Sequence, residues 1–141
     1  MAGISNTDRI ERLRAIPILT ELPESTLRRI SDVMTEFEAA PGQVLIQQGQ
    51  PGSGLLIVDE GTVTVERPGG APIELGPGEF LGELALLTPE GVHRARVRAK
   101  TRCVLLAMSR QDFLAFLDEE PRIAVAMLPT LANRLARQDR A

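Results

Sequence analysis

The chain has 141 residues, a formal net charge of −3, 43% hydrophobic and 25% charged residues, which describes an ordinary globular composition with room for one well-formed core. There is no Trp or Tyr, only four Phe, and a slight acidic excess, so neither base-stacking platforms nor a basic field argues for nucleic acid. A single histidine, His93, excludes multi-histidine metal clusters and two-histidine cupin sites.

No apolar run approaches the roughly 18 residues of a membrane span. The opening MAGISNTDRIERLR carries an acid before any apolar stretch, unlike a secretory leader. The one cysteine, Cys103, sits in an apolar run and is expected to be a buried thiol in a reducing cytoplasm.

In chain order, SNTDRIERLRAI (5–16) predicts a helix, with Ile10 and Leu13 spaced i,i+3 among charges, ended by Pro17. A second short helix, PESTLRRISDVM, starts at Pro23 and places Leu27, Ile30 and Val33 on one face. From Pro41 to Gly82 the texture changes: short apolar runs alternate with PG, QG, PGSG, EG, PGG, GPG and LG. VLIQQ, LLIVDE, TVTVERP, PIEL, RVRAK and RCVLLAM have strand length, and turns recur every eight to twelve residues. That pattern predicts an antiparallel roll or sandwich.

Helices close the chain. Ser109 and Asp112 have capping-box spacing, with Phe113, Phe116 and Leu117 below. A last helix starts at Pro121, its Ala124, Leu128, Leu131 and Leu135 spaced as a short heptad seam, and Pro129 is expected to kink or locally break it. The whole predicts one mainly β domain over 1–141, with the roll at about 34–108 and closing helices at about 110–137.

The series PGQVLIQQGQPGSGLLIVDEGTVTV, then LGPGEFLGELALL, then RVRAKT, between short helices and two closing ones, resembles the cyclic-nucleotide-binding domain. This is the regulatory module of the bacterial catabolite activator, protein kinase A and cyclic-nucleotide-gated channels. The resemblance covers about residues 10–137 and implies a jelly-roll-like antiparallel β-roll with N-terminal helices, a short phosphate-cradle helix and two C-terminal helices. A helix beginning at Gly82 presents free amides and the positive end of its dipole, and glycine allows a phosphate close to the backbone. By position in the family motif, Glu83 hydrogen-bonds the ribose 2′-hydroxyl and the amides of Leu84 and Ala85 face the cyclic phosphate. Leu84, Leu86 and Leu87 are expected in the core.

The family usually follows this loop with an arginine that grips the phosphate, four residues before a valine. Here that position is His93, and Arg94 stands where Ser, Thr or Ala is usual. Strand alternation places Ala95, Val97 and Ala99 inward with His93 in phase, and Arg94, Arg96 and Arg98 outward. Three arrangements stay open. A slip or bulge turns Arg94 inward; or His93 binds as imidazolium; or the contact is lost, at about 2–4 kcal/mol, roughly 30- to 1,000-fold in affinity. The stripe of Arg94, Arg96, Arg98 with Arg102 is an ordinary solvated face or a docking patch for an acidic partner.

The resemblance implies a stand-alone sensor with no cofactor, taking cAMP or another cyclic nucleotide as ligand. Its output is movement of the closing helices to an unidentified effector protein, with a possible homodimer through the last helix. The alternative is a degenerate domain of the same fold acting as an interaction module. Gln138 or Asp139 lie near the region from which the family often recognises the base. With no helix-turn-helix after the last helix, no DNA binding is expected. No nucleophile–base pair, metal set or carboxylate pair suggests an enzyme; Glu83 and Glu90 only flank the cradle.

Overall fold

The computed structural model describes residues 6–139, and the side chains of 8–137. The chain forms two compact units, Thr35–Phe113 and the helices before and after it in sequence. The side chains of Gln138 and Asp139 lie outside the described residues.

The helical unit starts with α1 (Asn6–Arg14), a 3-10 turn (Pro17–Leu19) and α2 (Glu24–Val33). Ile10, Leu13, Ile16, Ile18, Leu19, Leu27 and Ile30 are all buried. Val33, expected beside Leu27 and Ile30, is instead exposed, and Met34 takes its place in the core. At 3.6 residues per turn Met34 comes back into line with Leu27 and Ile30, whereas Val33 rotates out. The Met34 amide donates to the carbonyls of Ile30 and Ser31, closing the helix there.

The β unit contains eight strands: β1 (Thr35–Ala39), β2 (Val44–Ile46), β3 (Gly54–Glu60), β4 (Val63–Glu66), β5 (Ile73–Leu75), β6 (Phe80–Leu81), β7 (Arg96–Ala99) and β8 (Cys103–Ser109). They form two four-stranded antiparallel sheets, ordered β1-β8-β3-β6 and β2-β7-β4-β5. Every strand sends side chains into the space between the sheets: Ala39, Val58, Leu81, Cys103 and Leu105 from one; Ile46, Val63, Leu75, Val97 and Ala99 from the other. This is the antiparallel roll the turn spacing predicts.

Two strands escape the sequence pattern. β1 reads TEFEA, with Glu36 and Glu38 exposed, as suits an edge strand that carries charge to discourage further pairing. β6 has two residues, too few for any periodicity to register.

α3 (Glu83–Leu87) lies between β6 and β7, and α4 (Arg110–Glu119) and α5 (Pro121–Asp139) follow β8. Half of the expected capping box forms: Ser109 Oγ accepts from the Asp112 amide at 3.1 Å, and the Asp112 carboxylate accepts from the Ser109 hydroxyl at 3.0 Å rather than from its amide. In the helical unit α5 packs against the 3-10 turn, and Ile123 and Met127 are buried. Arg29 stacks on Phe116, 5.3 Å from the ring centroid, and pairs with Glu119.

The expected seam on α5 shares one face of the continuous helix and stays at the surface rather than in the core. Leu128 and Leu135 are about 60% exposed together with Val125, while Ala124 and Leu131 are half-buried. Burial follows Ile123 and Met127, spaced i,i+4, and leaves an apolar stripe on another side of the helix. Pro129 does not break α5, which is helical throughout. The carbonyl it leaves without a partner is that of Val125, on the exposed side, where water can satisfy it.

Candidate functional site

The site is built where β6 turns into α3. Gly82 caps α3 with φ 88° and ψ −1°, a left-handed conformation that glycine adopts without steric cost. A β-carbon there would also lie 3.1 Å from the Gly54 carbonyl oxygen, 3.6 Å from Ile46 Cδ1 and 3.6 Å from His93 Cε1. Gly82 is therefore fixed by both torsion and space.

Glu83 is 4% exposed, one of three buried polar side chains among the described residues. A carboxylate is rarely buried without polar partners, and Glu83 does have an interaction partner. Ala85 and Leu86 are buried. Leu84 and Leu87, expected in the core, are exposed at 41% and 44%. In one short helix the i,i+3 pair Glu83 and Leu86 faces inward, so the pair Leu84 and Leu87 must face out. The first turn of such a helix leaves the amides of Leu84 and Ala85 without intrahelical acceptors.

α3 is held from below by the PGSG segment, which the sequence marks only as a turn. A β-carbon on Gly52 would lie 2.5 Å from Ala85 Cβ and 2.9 Å from the Ala85 backbone. The Gly52 amide donates to the Gly91 carbonyl at 2.8 Å, and Arg110 Nη1 donates to the Ala85 carbonyl at 3.4 Å. Two glycines spaced i,i+2 before an apolar strand were the available signal for this close approach. Gly52→Ala is expected to destabilise the protein by about 2 kcal/mol, since Ala85 and its backbone must move; denaturant unfolding checks it.

His93 is half-buried, and its main chain is bonded on both sides. Its amide donates to the Gln50 carbonyl at 2.9 Å, and its carbonyl accepts from the Gly49 amide at 2.8 Å. Next to it, Pro51 bridges Val92. The imidazole thus reaches Gly82, bringing two of the expected site residues together. Burial pushes its pKa below the ordinary histidine value. Protonation is then easier in the unfolded chain, so His93's contribution to stability declines as pH falls through the ordinary histidine value toward its own.

Arg94 is exposed and pairs with Glu90 at 3.5 Å. It and Ala95, which is half-buried, form a bend before β7 begins at Arg96. The alternation that put residues 93–95 in strand phase therefore starts only at Arg96. Along β4 the register runs unbroken from Val63↔Ala99 to Glu66↔Arg96, and the irregularity on the other side falls between Val44 and Ile46. No slip turns Arg94 inward.

The arginine stripe is matched by the protein's own acids. Glu66 holds Arg96 at 2.8 Å and Arg98 at 3.2 Å, and the hydrogen bond from Arg96 is the leading cause of its lowered pKa. Glu74 pairs with Lys100, and Glu38 with Arg102. Such a surface offers an acidic partner little uncompensated charge. Among the described residues, no helix is long and apolar enough to cross a membrane, and no group of three or more His, Cys, Asp or Glu is arranged to hold a metal.

Comparison with known proteins places this geometry. The cyclic nucleotide-binding domain profile matches residues 36–120. A cyclic nucleotide-gated potassium channel of Mesorhizobium japonicum is 34% identical over 120 residues, covering 85% of this chain and 33% of the channel. The chain thus spans about a third of that curated relative. The catabolite activator protein of Thermus thermophilus superposes with a TM-score of 0.73 at 31% identity, over 87% of this chain and 60% of that one. The regulatory subunit of a cAMP-independent protein kinase A from Trypanosoma cruzi, solved bound to guanosine, gives 0.74 at 28% identity, over 86% and 44%.

Proposed function

The chain belongs to the cyclic nucleotide-binding domain family, and from that premise we propose that it is a non-enzymatic sensor module whose roll holds a cyclic nucleotide, cAMP first, on the 82–85 cradle. Glu83 takes the ribose hydroxyl, the Leu84 and Ala85 amides take the ring phosphate, and His93 with Ala95 closes the side next to Gly82. The observation that carries this reading is the buried carboxylate of Glu83 directly after a left-handed glycine at the start of α3. Glu83 has a partner within the protein, and its carboxylate has acceptor sites enough to take a ribose hydroxyl as well.

Signalling follows if the ligand favours one arrangement of the closing helices over another; equal affinity for both would shift nothing. The exposed stripe of Val125, Leu128 and Leu135 suits pairing of α5 with a second copy or with an effector protein. The module is proposed to work in the cytoplasm.

Calorimetric titration with cAMP, cGMP and guanosine tests the ligand. Saturable heat with cAMP at micromolar to low millimolar concentration is the expected result. Guanosine is included because the Trypanosoma relative holds it and because Arg94 pairs with Glu90 here. Absence of heat with all three, from a folded protein, would make the chain a degenerate interaction module of the same fold.

A further inference from the structure

We propose that His93 couples ligand charge to protonation: an anionic ring phosphate is held with His93 as imidazolium, so its binding takes up one proton, whereas the phosphate-free nucleoside binds without one. The inference rests on the preceding reading that a cyclic nucleotide occupies the cradle.

Geometry carries it. The His93 main chain is pinned at both its amide and its carbonyl, which fixes the point from which the ring extends toward Gly82. Its Cε1 lies 3.6 Å from where a Gly82 side chain would begin. Cε1 is the carbon between the two ring nitrogens, so a nitrogen stands on either side of the atom nearest the cradle. Doubly protonated, the ring presents a donor on both; neutral, it presents one donor and one acceptor.

The nearby arginines are engaged elsewhere. Arg94 pairs with Glu90, Arg96 and Arg98 share Glu66, and Arg110 donates to the Ala85 carbonyl at the back of α3. The elements packed against His93 bring few charges to it. β2 contributes Ile46, β3 the Gly54 carbonyl, and the turn before Pro51 supplies Gln47, Gln48 and Gln50. The charged neighbours are Glu83, which follows Gly82 on α3, and the Glu90–Arg94 pair on its own loop. Burial alone accounts for the lowered pKa of the ring, so the free site is uncharged at this position near neutral pH.

The linkage sign follows. A bound anion raises the imidazole pKa, so affinity climbs as pH falls through the bound-state value and levels off below the free one. Between them one proton taken up makes about a tenfold gain per pH unit. Above both, the nucleotide keeps only the phosphate contacts that do not titrate, those of the Leu84 and Ala85 amides.

The test is calorimetric titration of the full chain with cAMP and with adenosine, from about pH 8 down to about pH 5. Affinity for cAMP is expected to rise by up to about tenfold per unit while adenosine stays level. Repeating the cAMP titration in buffers of different ionisation enthalpy should report uptake of one proton, lost in His93→Gln. His93→Arg should bind cAMP tightly at every pH, and thermal unfolding of both variants shows whether they fold. A level cAMP affinity across the range, or proton uptake that survives His93→Gln, would overturn the proposal and leave the cyclic-nucleotide reading standing. Failure of the folded parent to bind either ligand at any pH would overturn both.

Discussion

Replacing Gly61 by alanine is expected to lower the stability of the protein by roughly 3 kcal/mol. Gly61 joins β3 to β4 with φ 89°, and a β-carbon there would lie 2.2 Å from the Arg102 carbonyl oxygen and 2.9 Å from both Cys103 Sγ and Thr101 Oγ1. The left-handed torsion costs an L-residue about 1 kcal/mol. Contact with a backbone oxygen adds about 2 kcal/mol, because relief requires the turn before β8 to move. That turn is tied to Gly61's neighbour: the Thr62 amide donates to Thr101 Oγ1 at 3.1 Å, and the Thr62 carbonyl accepts from Lys100 at 2.9 Å. Thermal unfolding should show a midpoint lowered by roughly 10 °C. Gly42 is the control: its φ is 86° with nothing within 4 Å of a new β-carbon, so Gly42→Ala should show the torsional part alone, about 1 kcal/mol. Equal losses in the two variants would refute the close-contact explanation.

Glu83→Ala is expected to weaken cyclic-nucleotide binding about 30- to 150-fold, the loss of a buried charge-assisted hydrogen bond worth about 2–3 kcal/mol. Glu83 is 4% exposed, so water cannot readily take the place of the missing oxygens. If the carboxylate accepts from the ribose 2′-hydroxyl, a 2′-deoxy ligand should lose similar affinity with the parent protein. The variant should then bind ribose and deoxyribose forms alike, since the two changes remove one interaction and must not add. Additive losses would place Glu83 away from the hydroxyl. The unfolding midpoint of the variant, measured alongside, separates a binding loss from a damaged α3.

Much of the roll was legible before any coordinates. Turns at regular spacing bounded most of the strands, and Ser109 with Asp112 marked the start of α4. Gly82 and Glu83 were named from their place in the family motif, and the structure adds the left-handed torsion of the one and the burial of the other. Less was legible where periodicity had too few residues to act on. Leu84 and Leu87 look like core from their type, yet a five-residue helix with Glu83 and Leu86 inward has no room for them. Gly52 looks like part of a turn, and its contact with Ala85 lies 33 positions along the chain.

Composition, turn chemistry and the alternation of apolar residues determined the antiparallel β architecture and its closing helices, because these depend on local torsions and on which faces must leave water. The place of the cradle followed from the resemblance of its motif to the family. Tertiary structure alone decided what stands at the cradle's edge. Whether Arg94 or His93 turns toward Gly82 depends on where β7 begins and on the hydrogen bonds His93 makes with Gly49 and Gln50. Those are long-range contacts, and no local preference of either residue specifies them.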